Sequence, residues 1–163
     1  MISQVMQDAI NTQIKAELDS AYLYLSMAAH YETINLSGFA NWMHVQSKEE
    51  VSHAMKFFNY VLERGGKVEL KALDQPETKF TSPVEIFEKT LKHEEKVTSL
   101  INALYELALK EKDYPSQIML QWFIDEQVEE ESNAARILEM LKMAESKSYA
   151  LLAIDRELSG RGK

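Results

Sequence analysis

Glu50-Val51-Ser52-His53 sets a carboxylate and an imidazole three residues apart. On a helix that spacing stacks both groups on one face, one turn apart, within reach of a single metal ion. Alone, such a pair is a common surface accident. Here it lies inside an otherwise apolar row spaced by threes and fours: Phe39, Met43, Gln46, Glu50, His53, Phe57, Tyr60. Three further rows share this pattern. One is Ile10, Ile14, Glu17, Ala21, Tyr24, Ala28; another is Val84, Phe87, Leu91, Glu94, Thr98, Ile101, Tyr105. The last is Leu120, Phe123, Gln127, Glu130, Ala134, Ile137, Leu141. Rows of this kind are the buried seams of helix bundles. Each is interrupted near its middle by carboxylates or a carboxamide, so helices of similar length bring those groups into one layer.

The punctuation between rows sets the element limits. Helices are expected from about Ser3 to Ile34 and from about Phe39 to Arg64, joined by a turn at Asn35-Leu36-Ser37-Gly38. Gly65-Gly66 closes the second, glycine being suited to the left-handed cap. Lys67 to Thr81 has no helical period and contains Pro76, so it reads as a connection. Ser82-Pro83-Val84-Glu85 starts a third helix, with Ser82 as N-cap, Pro83 at the first helical position and Glu85 completing a capping box. It reaches about Lys112, where Asp113-Tyr114-Pro115 breaks it and starts a fourth that ends near Glu145. Ser146-Lys147-Ser148 precedes a short fifth helix, residues 148–159, closed by Gly160.

Connection lengths give the topology. A tight turn makes the first two helices antiparallel. The Lys67–Thr81 connection can extend roughly 50 Å at about 3.3 Å per residue, and a helix of about 27 residues is only roughly 40 Å long. It can therefore cross the whole bundle and set the third helix parallel to the second. The expectation is an all-α, single-domain fold over residues 1–163: a four-helix bundle spanning 3–145, with one long crossover, plus the short C-terminal helix.

Composition agrees. The chain has 163 residues, 45% of them hydrophobic, with only 5 glycines and 3 prolines, which favours ordered helical structure. A formal charge of −8 argues against nucleic acid as a partner and suits attraction of cations. Absence of cysteine excludes disulfides and thiolate metal sites and suits a cytoplasmic location. The start lacks the pattern of a signal peptide, and no apolar run approaches the ~18 residues of a membrane span. The eight methionines scatter through the helices as core filler.

Buried carboxylates are unfavourable unless paired or bound to metal. Glu17, Glu50, Glu94 and Glu130, converging without cations, would repel one another and hold protons. Two divalent ions cancel four carboxylates. Oxygen ligands with one imidazole suit iron, manganese or zinc. Glu50, central, can bridge both ions; Glu17 and His53 complete one site, Glu94 and Glu130 the other, while neutral Gln127 is suited to hydrogen-bonding a bound oxygen species. Two ferrous ions held together can each pass an electron to dioxygen, and so weakly charged a ligand set suits release of ferric iron into a mineral.

Over its full length the chain resembles the bacterial and archaeal non-haem ferritins. The resemblance is carried by Ser20-Ala21-Tyr22-Leu23-Tyr24-Leu25-Ser26, Gly38-Phe39-Ala40-Asn41-Trp42, Glu49-Glu50-x-x-His53-Ala54, Glu63-Arg64-Gly65-Gly66, His93-Glu94 and Glu126-Gln127-Val128-Glu129-Glu130. It implies a hollow octahedral shell of twenty-four subunits that oxidises ferrous iron with dioxygen at a di-iron ferroxidase centre inside each bundle and stores ferric oxyhydroxide. It implies two irons per subunit, one held by Glu17, Glu50 and His53 and one by Glu50, Glu94 and Glu130, with Gln127 close by and Tyr24 beside the centre. It further implies a third iron position built from Glu49, Glu126 and Glu129 with Glu130 shared. No haem is expected, because the haem-binding relatives carry methionine just after the second-helix glutamate, where this chain has Val51. The resemblance assigns the fifth helix to assembly at the four-fold axis. Gln117 and Leu120 fall where vertebrate catalytic ferritins have acidic three-fold channel residues. Di-iron oxygenases and peroxidases on this bundle usually carry a second Glu-x-x-His; here the matching motif is Gln127-x-x-Glu130.

Overall fold

The structure, a computed structural model, describes residues 1–145 and 147–162; Ser146 of the expected linker and Lys163 at the end of the expected domain lie outside the described residues. Among the described residues there are five helices: α1 (Gln4–Thr33), α2 (Ser37–Glu63), α3 (Pro83–Lys110), α4 (Tyr114–Ala144) and α5 (Ser148–Leu158). No described helix is long and apolar enough to cross a membrane.

Local chemistry starts and stops them. Ser3 caps α1, its hydroxyl accepting from the Met6 N–H. Asp113 caps α4 by accepting from Ser116. At α3 the Ser82 hydroxyl accepts from Glu85 N–H, as a capping box requires. The returning Glu85 carboxylate goes one residue further than expected and accepts from the N–H of Thr81 at 2.6 Å. Gly65, φ 70°, ends α2 in the left-handed region. The α1–α2 turn is shorter than the sequence suggests: Asn35 takes φ 59° and α2 begins at Ser37, so Gly38 is helical.

Side-chain contacts set the directions. Ser20 meets His93 while Met27 meets Thr90, so α1 and α3 are antiparallel. Gln46 meets Glu130 while Phe57 stacks on Phe123, so α2 and α4 are antiparallel. With α1 and α2 joined by the short turn, α2 and α3 are therefore parallel, which is the crossover topology. The crossover lies along α1: Lys67 N–H donates to Gln7, Glu69 N–H to Asn11 and Asp74 N–H to Asp19, and the Glu77 carbonyl accepts from Ser26.

The core is split in two. One apolar cluster holds Tyr24, Met27, Tyr31, Phe39, Met43, Phe87, Ile137 and Leu141 and takes in Ile154 and Leu158 of α5. The other holds Met6, Ile10, Ile14, Phe57, Val97, Ile101, Leu120 and Phe123. Every seam crosses from one cluster to the other at its polar residue. Leu120 is fully buried in the second cluster.

Candidate metal centre

Between the two clusters lies a polar layer. Glu17 of α1, Glu50 and His53 of α2, Glu94 of α3, and Gln127 and Glu130 of α4 are all buried. Each is flanked by core residues on its own helix, which fixes its height: Glu17 by Ile14 and Ala21, Glu50 by Met43 and Ala54, Glu94 by Phe87 and Val97, Gln127 and Glu130 by Phe123 and Ile137.

Ligand atoms of Glu17, Glu50 and His53 lie within 4.8 Å of one another, so three of the expected ligands are brought close enough together to hold one ion. A second such group is His53, Glu126 and Glu130. The expected second set is not drawn together in the same way. Glu94 is turned to Tyr24, whose hydroxyl donates to it, and to Gln127, whose Nε2 donates to its carboxylate at 3.3 Å. Glu126 sits 3.7 Å from His53 Nε2, beside the centre. Of the remaining residues expected at a third position, Glu49 pairs with Arg161 and Glu129 is exposed.

Three residues outside the sequence-derived set join or flank the layer. Gln46 Nε2 donates to Glu50 Oε1 at 3.0 Å and to Glu130 Oε2 at 2.8 Å, tying α2 to α4. Its place in the apolar row between Met43 and Glu50 was the available signal. His93 contacts Ser20 at 2.8 Å and meets the Tyr24 ring edge-on, so it supports the tyrosine and does not reach the carboxylates. Trp122 packs edge-on against His53 at 5.5 Å between centroids and is partly exposed.

Electrostatics follow from burial. The Glu17 carboxyl is pushed up to about 8 by loss of water and then by the Glu50 charge. Burial, then Glu94, raises Glu130 to about 7. Burial leads the upward displacement of Glu50 and Glu94 as well, with neighbouring carboxylates adding to it. Glu17 Oε2 is buried and, among the described residues, has no hydrogen-bond partner. A cation between Glu17, Glu50 and His53 would satisfy that oxygen and relieve the repulsion. The donor set of carboxylates, one imidazole and no thiolate fits a hard to borderline divalent ion such as iron.

The chain matches the Ferritin family, described as a ferritin-like domain, over residues 7–144. It is 42% identical to a bacterial non-heme ferritin of Bacteroides fragilis over 161 residues, covering 99% of this chain and 100% of that one. A bacterial non-heme ferritin of Staphylococcus aureus is 37% identical, with coverage of 99% and 97%. Among solved structures, an open-pore ferritin from the hyperthermophilic archaeon Archaeoglobus fulgidus superposes with a TM-score of 0.97 at 49% identity, covering 98% of each chain.

Proposed function

The chain belongs to the ferritin family, and we propose that it is a non-haem ferritin that oxidises ferrous iron with dioxygen at an intrasubunit centre and stores the ferric product in a hollow shell of twenty-four copies. One observation supports this above the rest: a layer of four buried glutamates and a histidine divides an otherwise apolar bundle, with a carboxylate oxygen of Glu17 unpartnered. Such a layer is unfavourable to the fold and is explained by the ions it receives.

Iron here is substrate. Glu17, Glu50 and His53 hold one ferrous ion; Glu50, Glu94 and Glu130 hold the second once Glu94 swings from Gln127 towards Glu130. The two ions supply two electrons to one dioxygen, taking it at least to the peroxide level. Ferric iron then hydrolyses, sheds protons and moves to the mineral. Tyr24, whose hydroxyl donates to Glu94, stands where it can hand over a further electron while passing its proton to that carboxylate. Gln127 keeps its amide near the bound oxygen. Glu49, Glu126, Glu129 and Glu130 form a third iron position adjoining the pair. Glu49, Glu126 and Glu129 are all at least partly open to water, so an ion there is held weakly, as a transfer position needs.

The test is anaerobic addition of ferrous iron to metal-free protein, followed by oxygen, with ferric absorbance and particle mass recorded. Two ferrous ions per subunit should oxidise in a fast phase, and Glu17→Ala or His53→Ala should abolish it while the shell persists. Unchanged initial rates in both variants would remove the centre from this role. Zinc should compete for the same ligands. Electron microscopy of the particle separates a closed octahedral shell from the open-pore form named for the Archaeoglobus fulgidus relative. A cytoplasmic site of action fits a chain without cysteine. No haem is expected at Val51; a Soret band stoichiometric with subunit pairs, in protein from haem-replete cells, would refute that.

A further inference from the structure

Arg161, three residues beyond α5, reaches into the edge of the metal layer. Its Nη2 donates to Gln46 Oε1 at 2.8 Å and to the Glu49 carboxylate, and its guanidinium lies 4.3 Å from the centroid of the Trp42 ring. The tail that carries it is anchored. Asn41 Nδ2 donates to the carbonyls of Leu158 and Arg161, at 3.2 and 3.1 Å. The Asp155 carboxylate accepts from the N–H groups of Gly38 and Phe39 at 2.8 and 3.0 Å. Gly162, at φ 79°, lies so close to Val45 that a Cβ there would sit 3.1 Å from its Cγ2. The arginine is therefore delivered to Glu49 by the fold.

Its contact with Gln46 has a consequence inside the layer. Arginine only donates, so the Gln46 oxygen must face it and the amide nitrogen must face Glu50 and Glu130. Both amide hydrogens are then committed to carboxylates that the centre uses. Arg161 supplies positive charge to Glu49 at the place where a third ion would bind. The pair is open to water, with the two side chains 20% and 41% exposed, so it is weak enough for a divalent ion to displace. A cavity of about 190 Å³ lined by Trp42, Asn133, Arg136, Glu157, Leu158 and Arg161 adjoins it and gives the side chain room to withdraw, although the Glu157 carboxylate there already accepts from Arg136 at 3.0 Å.

We infer that Arg161 is a built-in, displaceable cation that occupies the third metal position in the metal-free chain and must leave Glu49 when an ion binds there. This rests on the third position proposed above. It predicts that the third ion competes with the chain's own C-terminal tail, so filling of that position is coupled to the placement of residues 159–162.

Calorimetric titration of the assembled, metal-free protein with Zn²⁺ tests it, because zinc undergoes no redox step and the readout is binding alone. Wild type should take a third, weaker ion per subunit; Arg161→Gln, which removes charge and keeps a polar side chain, should bind that ion roughly tenfold more tightly. A chain ending at Gly160 should behave like Arg161→Gln, and crystals of zinc-loaded wild type should show the guanidinium turned away from Glu49. Equal third-ion affinity in wild type and both variants would overturn the inference and leave the third position standing. So would zinc at Glu49 with Arg161 still bound to it. If neither wild type nor variants took a third ion, the third position itself would fall, and the role of Arg161 with it.

Discussion

Glu17 is fully inside the bundle, one carboxylate oxygen accepting from Gln13 at 2.9 Å and the other bonded to nothing among the described residues. Its environment favours the neutral form, and the function needs the charged one. Glu17→Gln keeps the shape and makes that neutral form permanent. Near pH 7 the metal-free variant should be more stable than wild type by about 1–3 kcal/mol, because on folding wild type must protonate a carboxyl whose ordinary value is 4.5. It should also lose most of the thermal stabilisation that zinc gives wild type. Thermal unfolding with and without zinc measures both, and an equal zinc-dependent shift in the two proteins would show that Glu17 is no ligand. The residues of this layer were legible because a carboxylate in an apolar row is conspicuous. Gln46 was not, since a neutral amide on a seam has many ordinary explanations until its partners are known. Arg161 was illegible for another reason: nothing local tells where a tail residue docks.

At the scale of elements, the boundaries set by local chemistry were readable and those set at a distance were not. Ser82, Pro83 and Glu85 are neighbours in sequence, and α3 starts where they say. The start of α2 depends on Asp155, more than 100 residues away, whose carboxylate caps the N–H groups of Gly38 and Phe39. The same packing forbids a side chain at Gly38. Alanine in place of a helical glycine ordinarily adds about 1 kcal/mol of stability. Here a Cβ would fall 1.6 Å from the Asp155 carbonyl oxygen, so overlap wins. Gly38→Ala should loosen α5, at a loss of about 1–3 kcal/mol, seen as faster amide exchange between Ala150 and Leu158. Unaltered exchange there would show that the two helices can part without loss. The α3 cap makes a pH prediction. Lys89, then Thr81, hold the Glu85 carboxyl at about 2, below its ordinary 4.5. A depressed carboxyl contributes stability above the unfolded value and loses it as pH falls through the folded one. Glu85→Gln should thus unfold more readily than wild type above pH 4.5 and converge with it near pH 2. A gap independent of pH would mean that the carboxylate's charge does not matter to the cap.

For the molecule as a whole, the crossover was legible from length arithmetic, and the single polar layer from the interruption of all four apolar rows near their middles. What single-chain patterning could not show is how α5 divides its faces. A helix of 11 residues is too short to hold its form alone. Ile154 and Leu158 are buried against the bundle, which accounts for one face. Tyr149 and Leu152 stay 74% and 58% exposed, and Met143 of α4, beside them, 73%. Tyr149 and Met143 line a groove together with Met140, Ala144, Ala150, Ala153 and Ile154. Under the proposed shell this apolar surface is covered by other copies of the chain. The two faces can be tested apart. Deleting residues 148–163 removes both and exposes the end of the core cluster, so it should lower the stability of the subunit as well as weaken or misdirect assembly. Tyr149→Glu with Leu152→Glu leaves Ile154 and Leu158 in place, so the subunit should keep its fold and its zinc binding while the shell fails, because charge buried between copies is not matched. Light scattering and native mass spectrometry read the particle, and circular dichroism reads the fold. A double variant that forms a uniform particle of wild-type mass and thermal stability would show that this face is not an assembly contact and that α5 serves the subunit alone, as a clamp on the start of α2 and the carrier of Arg161.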